Sequence, residues 1–248
     1  MHRPRCSVSA ELYGHLVPTN VRNHATCDDT SVDLAQFGPF FALQDGADPS
    51  SAEGWRPLRD LYDGPALDDR VAHVATVLEQ MTGLTIEPRI AASTMSLGLF
   101  ARLLSPILGA AILHERLPAL SRESTFWRPA LSGPWPLSLQ GEPAEPHPER
   151  SVTEILLPLA DVIAERFALS RQVLNGNIAS SVFGAIRMAT NARPDLRQAA
   201  HQQGQRLLDG PLQGTGSLES KGFVRSSCCL YYRIPGGGYC GDCVLTPR

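Results

Sequence analysis

The chain gathers four cysteines, Cys228, Cys229, Cys240 and Cys243, within sixteen residues near its C-terminus. Nothing else in the sequence restricts its folding as tightly, because four thiols held so close must wrap a short loop around a common point. Gly236, Gly237 and Gly238 supply the backbone freedom that such a wrap needs. Four-thiolate ligation suits zinc, [2Fe-2S] and [4Fe-4S] centres alike. Structural zinc sites usually pair their cysteines in two C-x2-4-C knuckles, whereas here one pair is directly adjacent. Neighbouring side chains of an extended segment point to opposite sides, so Cys228 and Cys229 reach one centre only where the backbone turns sharply. A two-iron rhomb is wider than a single ion and takes such a pair more easily. The spacing therefore favours an iron-sulfur centre and leaves zinc open.

A disulfide framework is the plainer use of cysteines. Six in 248 residues is sparse, the opening residues do not read as a secretory leader, and a core of this size needs no covalent staple. Cys6 and Cys27 lie far away in a polar stretch and read as free thiols, with a reactive role left open.

The rest of the chain reads as a mainly helical α+β protein forming one domain over 1–248. Residues 1–66 are rich in turn formers and predict loops and short elements. Residues 67–212 form the helical body, and 222–248 carry the cysteines. Leu67, Val71, Val74, Leu78 and Met81 share one helical face, opened by Pro65 and stopped by Gly83. Ile90 to Leu113 is the most apolar run, with Arg102 its only charge. A membrane span is countered by Ser93, Thr94, Ser96, Ser105 and that central arginine, which costs about 2.5–3.5 kcal/mol on insertion scales. The run predicts a buried core helix kinked near Pro106, with Arg102 paired to a buried carboxylate or carbonyl.

Residues 124–140 predict a small antiparallel hairpin, and the prolines of 142–148 a loop. Ser151 and Glu154 suggest a capping box opening a helix to Ala168, bent by Pro158. Further helices are predicted over Asn177–Thr190 and Pro194–Leu208, with 213–217 a flexible bridge to the tail.

Net charge is −3 and no dense Lys/Arg block occurs, so a nucleic-acid footprint is missing. Gly236 to Gly241 formally spells G-x-G-x-x-G, but too little chain follows for the second strand that a dinucleotide site requires. No Walker loop or G-x-S-x-G elbow occurs, so an electron donor has to be a partner. The seven histidines show no ligand spacing. Tyr231, Tyr232 and Arg233 could contact a planar ligand or simply pack beside the cysteine loop.

The Cys-Cys-x10-Cys-x2-Cys pattern resembles the signature of FhuF-type ferric-siderophore reductases. Arg89 to Leu113, Trp127-Arg128-Pro129 and Gly176-Asn177-Ile178-Ala179-Ser180 resemble further landmarks of that family, in the same order. The resemblance implies a cytoplasmic oxidoreductase with one [2Fe-2S] cluster on Cys228, Cys229, Cys240 and Cys243. It would reduce an iron(III)-siderophore, hydroxamate type favoured, with electrons from a ferredoxin, flavodoxin or NAD(P)H-dependent flavoprotein reductase. Tyr232, Arg233, Arg225 and Trp127 are the expected substrate-proximal residues, with the pocket between the cysteine loop and Trp127 and Asn177. The rival functions are a plain [2Fe-2S] electron carrier or redox sensor, and a zinc-stabilised interaction module.

Overall fold

A computed structural model describes residues 33–44, 53–130, 133–220 and 222–246. Cys6 and Cys27 lie outside the described residues, as does most of the irregular region expected before residue 67. The described residues fall within one unit, Val32–Arg248.

The apolar run is its axis. Helix α3, Pro88–Leu113, begins with proline at its first position and ends where His114 turns left-handed. It packs between α2 (Ala66–Thr82) and α6 (Arg171–Ala192). Its most apolar window is 78% buried within the fold, which confirms the core-helix reading. Arg102 sits at 4% exposure and donates to three carbonyls, those of Trp135, Phe40 (2.7 Å) and Ala42 (2.6 Å). Pairing is with carbonyl oxygens, and burial draws its pKa down to about 10.

Helix α2 runs as its periodicity predicts, and Gly83 closes it in the left-handed conformation. The predicted hairpin forms from β2 (Thr125–Trp127) and β3 (Leu137–Leu139), with Phe126 opposite Ser138. Strand β1 (Arg56–Pro57) adds to its free edge, and a short helix α1 (Asp60–Asp63) follows.

Three expectations are corrected. The helix expected from Ser151 starts earlier, as α4 (Pro148–Ser151), since Pro148 takes the first position and His147 precedes it. Ser151 does not cap; its hydroxyl donates back to the His147 carbonyl, and Glu154 pairs with Arg150. The chain then widens into a π-helical turn, Val152–Leu156, before α5 (Leu157–Phe167). The wide turn makes room for the Pro158 ring, which would collide with a carbonyl in a regular helix. Second, α6 starts at Arg171 rather than Asn177, because Ser170 caps it by accepting from the Val173 amide. Third, the bridge over 213–217 leads directly into a hairpin, β4 (Gly216–Glu219) with β5 (Gly222–Arg225). The helix before it, α7 (Arg197–Asp209), is entered through a 3-10 turn at Pro194–Leu196.

Candidate metal centre

Strand β5 delivers the chain to the cysteine loop. Phe223 and Arg225 are two apart on the strand and face the same way, into α6. Phe223 stacks on Phe183 of α6 with ring centroids 4.4 Å apart. Arg225 goes deeper and is only 1% exposed. Its Nη2 donates to Asn177 Oδ1 at 2.6 Å and to the Val173 carbonyl at 3.2 Å. This approach requires the glycine at 176, where a methyl group would collide with Ser227 Oγ and sit 2.7 Å from Arg225 Nη2.

Asn177, fully buried, ties this arginine to α3. Its Nδ2 donates to the Ser93 carbonyl, to Ser93 Oγ and to Ser96 Oγ, the last at 2.8 Å. Ser93 Oγ in turn donates to the Cys229 carbonyl at 2.6 Å. Serines that argue against a membrane span thus carry a buried network linking α3, α6 and the cysteine loop. Ser180 donates to Asp242, between the last two cysteines, and Ser227 to the Gln172 carbonyl at 2.7 Å.

These anchors bring the four cysteines together. The sulfurs of Cys229 and Cys240 are 3.4 Å apart, close to the ~3.8 Å separating two thiolates each ~2.3 Å from one tetrahedral metal ion. The Cys240 thiol, hydrogen-bonded to the Cys229 sulfur, holds the Cys229 pKa below the usual thiol value and has its own raised. Burial pushes Cys228 up, as do the charges of Cys229 and Cys243, while the Leu230 amide and Arg225 oppose them. Backbone amides already aim at sulfur, with Leu230 N 3.3 Å from Cys228 Sγ and Leu245 N 3.4 Å from Cys243 Sγ. Leu230 takes a left-handed conformation, φ 66°, which makes the sharp turn that the adjacent pair requires.

The donor set fits a [2Fe-2S] cluster on two observations. Four thiols lie close enough to act on one another, Cys228 with Cys229 and Cys243, and Cys229 with Cys240. Beneath them, Arg225 Nε and Nη1 are buried without a hydrogen-bond partner among the described residues. A buried guanidinium with two unanswered nitrogens, carrying three N–H bonds, calls for an anion, and a four-thiolate iron-sulfur centre is one.

Residues 225–245 match the family model of the FhuF 2Fe-2S C-terminal domain. This segment is similar to an FhuF-type [2Fe-2S] domain. The match opens on Arg225 and takes in all four cysteines. No curated protein matches the chain.

Two of the residues expected near substrate sit elsewhere. Arg225 is turned into α6 by the strand alternation that buries Phe223, so its charge acts on Cys228 and Cys229 from within the fold and it cannot reach a ligand in solvent. Trp127 is 2% exposed in β2, stacked on Trp135 at 4.3 Å. Trp135 accepts from Arg102, nine residues along α3 from Ser93 or about 13.5 Å of helix, so this tryptophan pair belongs to the sheet's core. Of the two landmarks expected to bound the pocket, Asn177 meets the loop through Arg225 and Ser93, whereas Trp127 lies in the sheet's core. Arg233 is tied to Glu87 at the start of α3 at 2.9 Å, stapling the loop down. Tyr232 is 47% exposed and stays accessible. Ser93, Ser96, Ser180 and Asp242 are the site residues that the sequence reading leaves without a role at the site, although all four fall in stretches it singles out.

Proposed function

We propose that this protein is a ferric-siderophore reductase, taking single electrons from a ferredoxin, flavodoxin or flavoprotein and delivering them to iron(III) in an oxygen-donor chelate. The observation that carries this reading is the FhuF-type cysteine loop seated on a buried arginine at the protein surface. Bound there, a [2Fe-2S] cluster supplies reversible one-electron transfer, at a potential that all-thiolate ligation keeps below that of histidine-bearing centres.

The protein's part is to hold and expose. Arg225 offsets negative charge from below, and the amides of Leu230 and Leu245 donate to sulfur. Cys228 and Cys240 are half-buried rather than sealed, and Gly241 between the ligands is exposed. A bulky chelate can thus approach the centre without entering the core. One electron converts iron(III) to iron(II), for which hard oxygen ligands have less preference, and the metal can then be captured in the cytoplasm.

The test is a turnover assay in which a reduced ferredoxin, ferrioxamine and an iron(II)-trapping dye are combined with and without the protein. Catalytic dye formation that Cys229→Ser abolishes supports the reading. Dye formation at the uncatalysed rate contradicts it.

A further inference from the structure

A cavity of about 140 Å³ lies between α2, α3 and the segment that leads into β3. Phe40, Val74, Met95 and Leu99 give it apolar walls, and no acidic residue lines it. Two guanidiniums do, those of Arg70 and Arg102, and both meet Trp135. The Arg70 guanidinium carbon sits 5.2 Å from the centre of the Trp135 ring, and Arg102 Nε donates to the Trp135 carbonyl. Arg70 donates to the Ala130 carbonyl and Arg102 to carbonyls alone, so neither charge has a carboxylate partner among the described residues. Burial lowers the pKa of both, and no acid raises either. Trp135 completes the set: the residue is 7% exposed, and its buried Nε1 has no hydrogen-bond partner among the described residues. A buried donor left unmet is costly, and a ligand that accepts from it removes that cost.

We infer that this cavity binds a small monocarboxylate whose apolar body has about six carbons. The inference goes beyond the reductase reading and does not depend on it, since no cysteine lines the cavity. Size sets the body: an apolar cavity of about 150 Å³ holds one benzene ring. Charge sets the head group. A carboxylate accepts from Arg70 and from Trp135 Nε1, and it offsets the charge of Arg102 as well. A cation of the same size would meet two guanidiniums that nothing neutralises. Entry is at Gly98, which lines the cavity and is exposed in the interior of α3. Glycine weakens a helix interior, and packing does not require it here, because a Cβ at 98 would meet nothing. Its effect is to leave the mouth of the cavity open.

Benzoate is the probe, with benzyl alcohol and benzylamine as neutral and cationic counterparts of the same body. The readout is the indole N–H resonance of Trp135 in isotope-labelled full-length protein, one of three such resonances and identified by its loss in Trp135→Phe. Benzoate should move it downfield saturably, benzyl alcohol should bind at least tenfold more weakly, and benzylamine should leave it in place. Arg70→Gln should raise the half-saturating benzoate concentration about tenfold. Gly98→Leu suits the helix and leaves both arginines untouched, and it should abolish the shift by filling the mouth. No saturable shift up to about 10 mM benzoate, ten times a millimolar dissociation constant, would overturn the site. A Gly98→Leu protein that binds benzoate like the wild type would overturn it too. Equal binding of benzyl alcohol and benzoate would overturn the carboxylate class.

Discussion

Replacing Arg225 with glutamine should lower the midpoint potential of the centre. The side chain is 1% exposed, two of its three nitrogens face no partner among the described residues, and its charge lowers the pKa of both Cys228 and Cys229. An added electron meets the same charge. At an effective dielectric constant near 20, unit charges 4 Å apart interact by about 4 kcal/mol, falling to ~2 kcal/mol at twice that distance. For a one-electron couple, ~2 kcal/mol is about 90 mV. A positive charge favours the more negative, reduced form, so its removal moves the potential down by that order. Glutamine keeps an amide donor for Asn177 Oδ1, which limits collateral damage to the buried network. Arg225→Lys keeps the charge and should shift the potential far less. Potentials come from a redox titration followed by electron paramagnetic resonance, with the signal reporting cluster content in each variant. A glutamine variant with a full cluster and a potential shifted by less than a quarter of that amount, or one that falls no further than in the lysine variant, would refute the charge argument.

Three other perturbations follow from the same geometry. Gly176→Ala forces a methyl group into Ser227 Oγ and Arg225, and should cost about 1–3 kcal/mol in denaturant unfolding and loosen cluster retention. Glu87→Gln removes only half-exposed ion pairs to Arg89 and Arg233, so the loss should stay below ~1 kcal/mol with cluster content intact. Tyr62 donates to the Ile155 carbonyl at 2.7 Å, and burial lifts its pKa to about 12 against the Arg122 charge. The unfolded chain loses that proton near pH 10, so the contribution is complete below pH 10 and fades as pH rises towards 12, by ~2–3 kcal/mol. Tyr62→Phe should flatten that part of the stability–pH curve while costing about 1 kcal/mol at neutral pH.

Much of the fold was legible where the pattern is local and repeated. The spacing from Leu67 to Met81 and the apolar run around Arg102 each identify a helix, and paired aromatic and apolar segments identify the β2–β3 hairpin. The misses occur where local preference yields to packing. Gly176 and Asn177 look like poor helix interior, yet they lie inside α6 because the glycine admits Arg225 and the asparagine bridges two helices. The β4–β5 hairpin is short, polar and glycine-rich, and without it the inward direction of Arg225 could not be seen from the sequence. Recognition of β5 would have paired Arg225 with Phe223 by simple alternation. Trp127, expected near substrate from the family resemblance, stacks on Trp135 in the core instead. The four cysteines were legible because their spacing is itself the constraint. Their supporting network was not, because Ser93, Asn177 and Cys229 are brought together from distant parts of the chain.

The most direct test of the whole account is metal, sulfide and spin analysis of the anaerobically purified protein. A brown protein with two irons and two labile sulfides per chain, giving one S = 1/2 signal on one-electron reduction, is the predicted result. A colourless protein carrying one zinc per chain would contradict it.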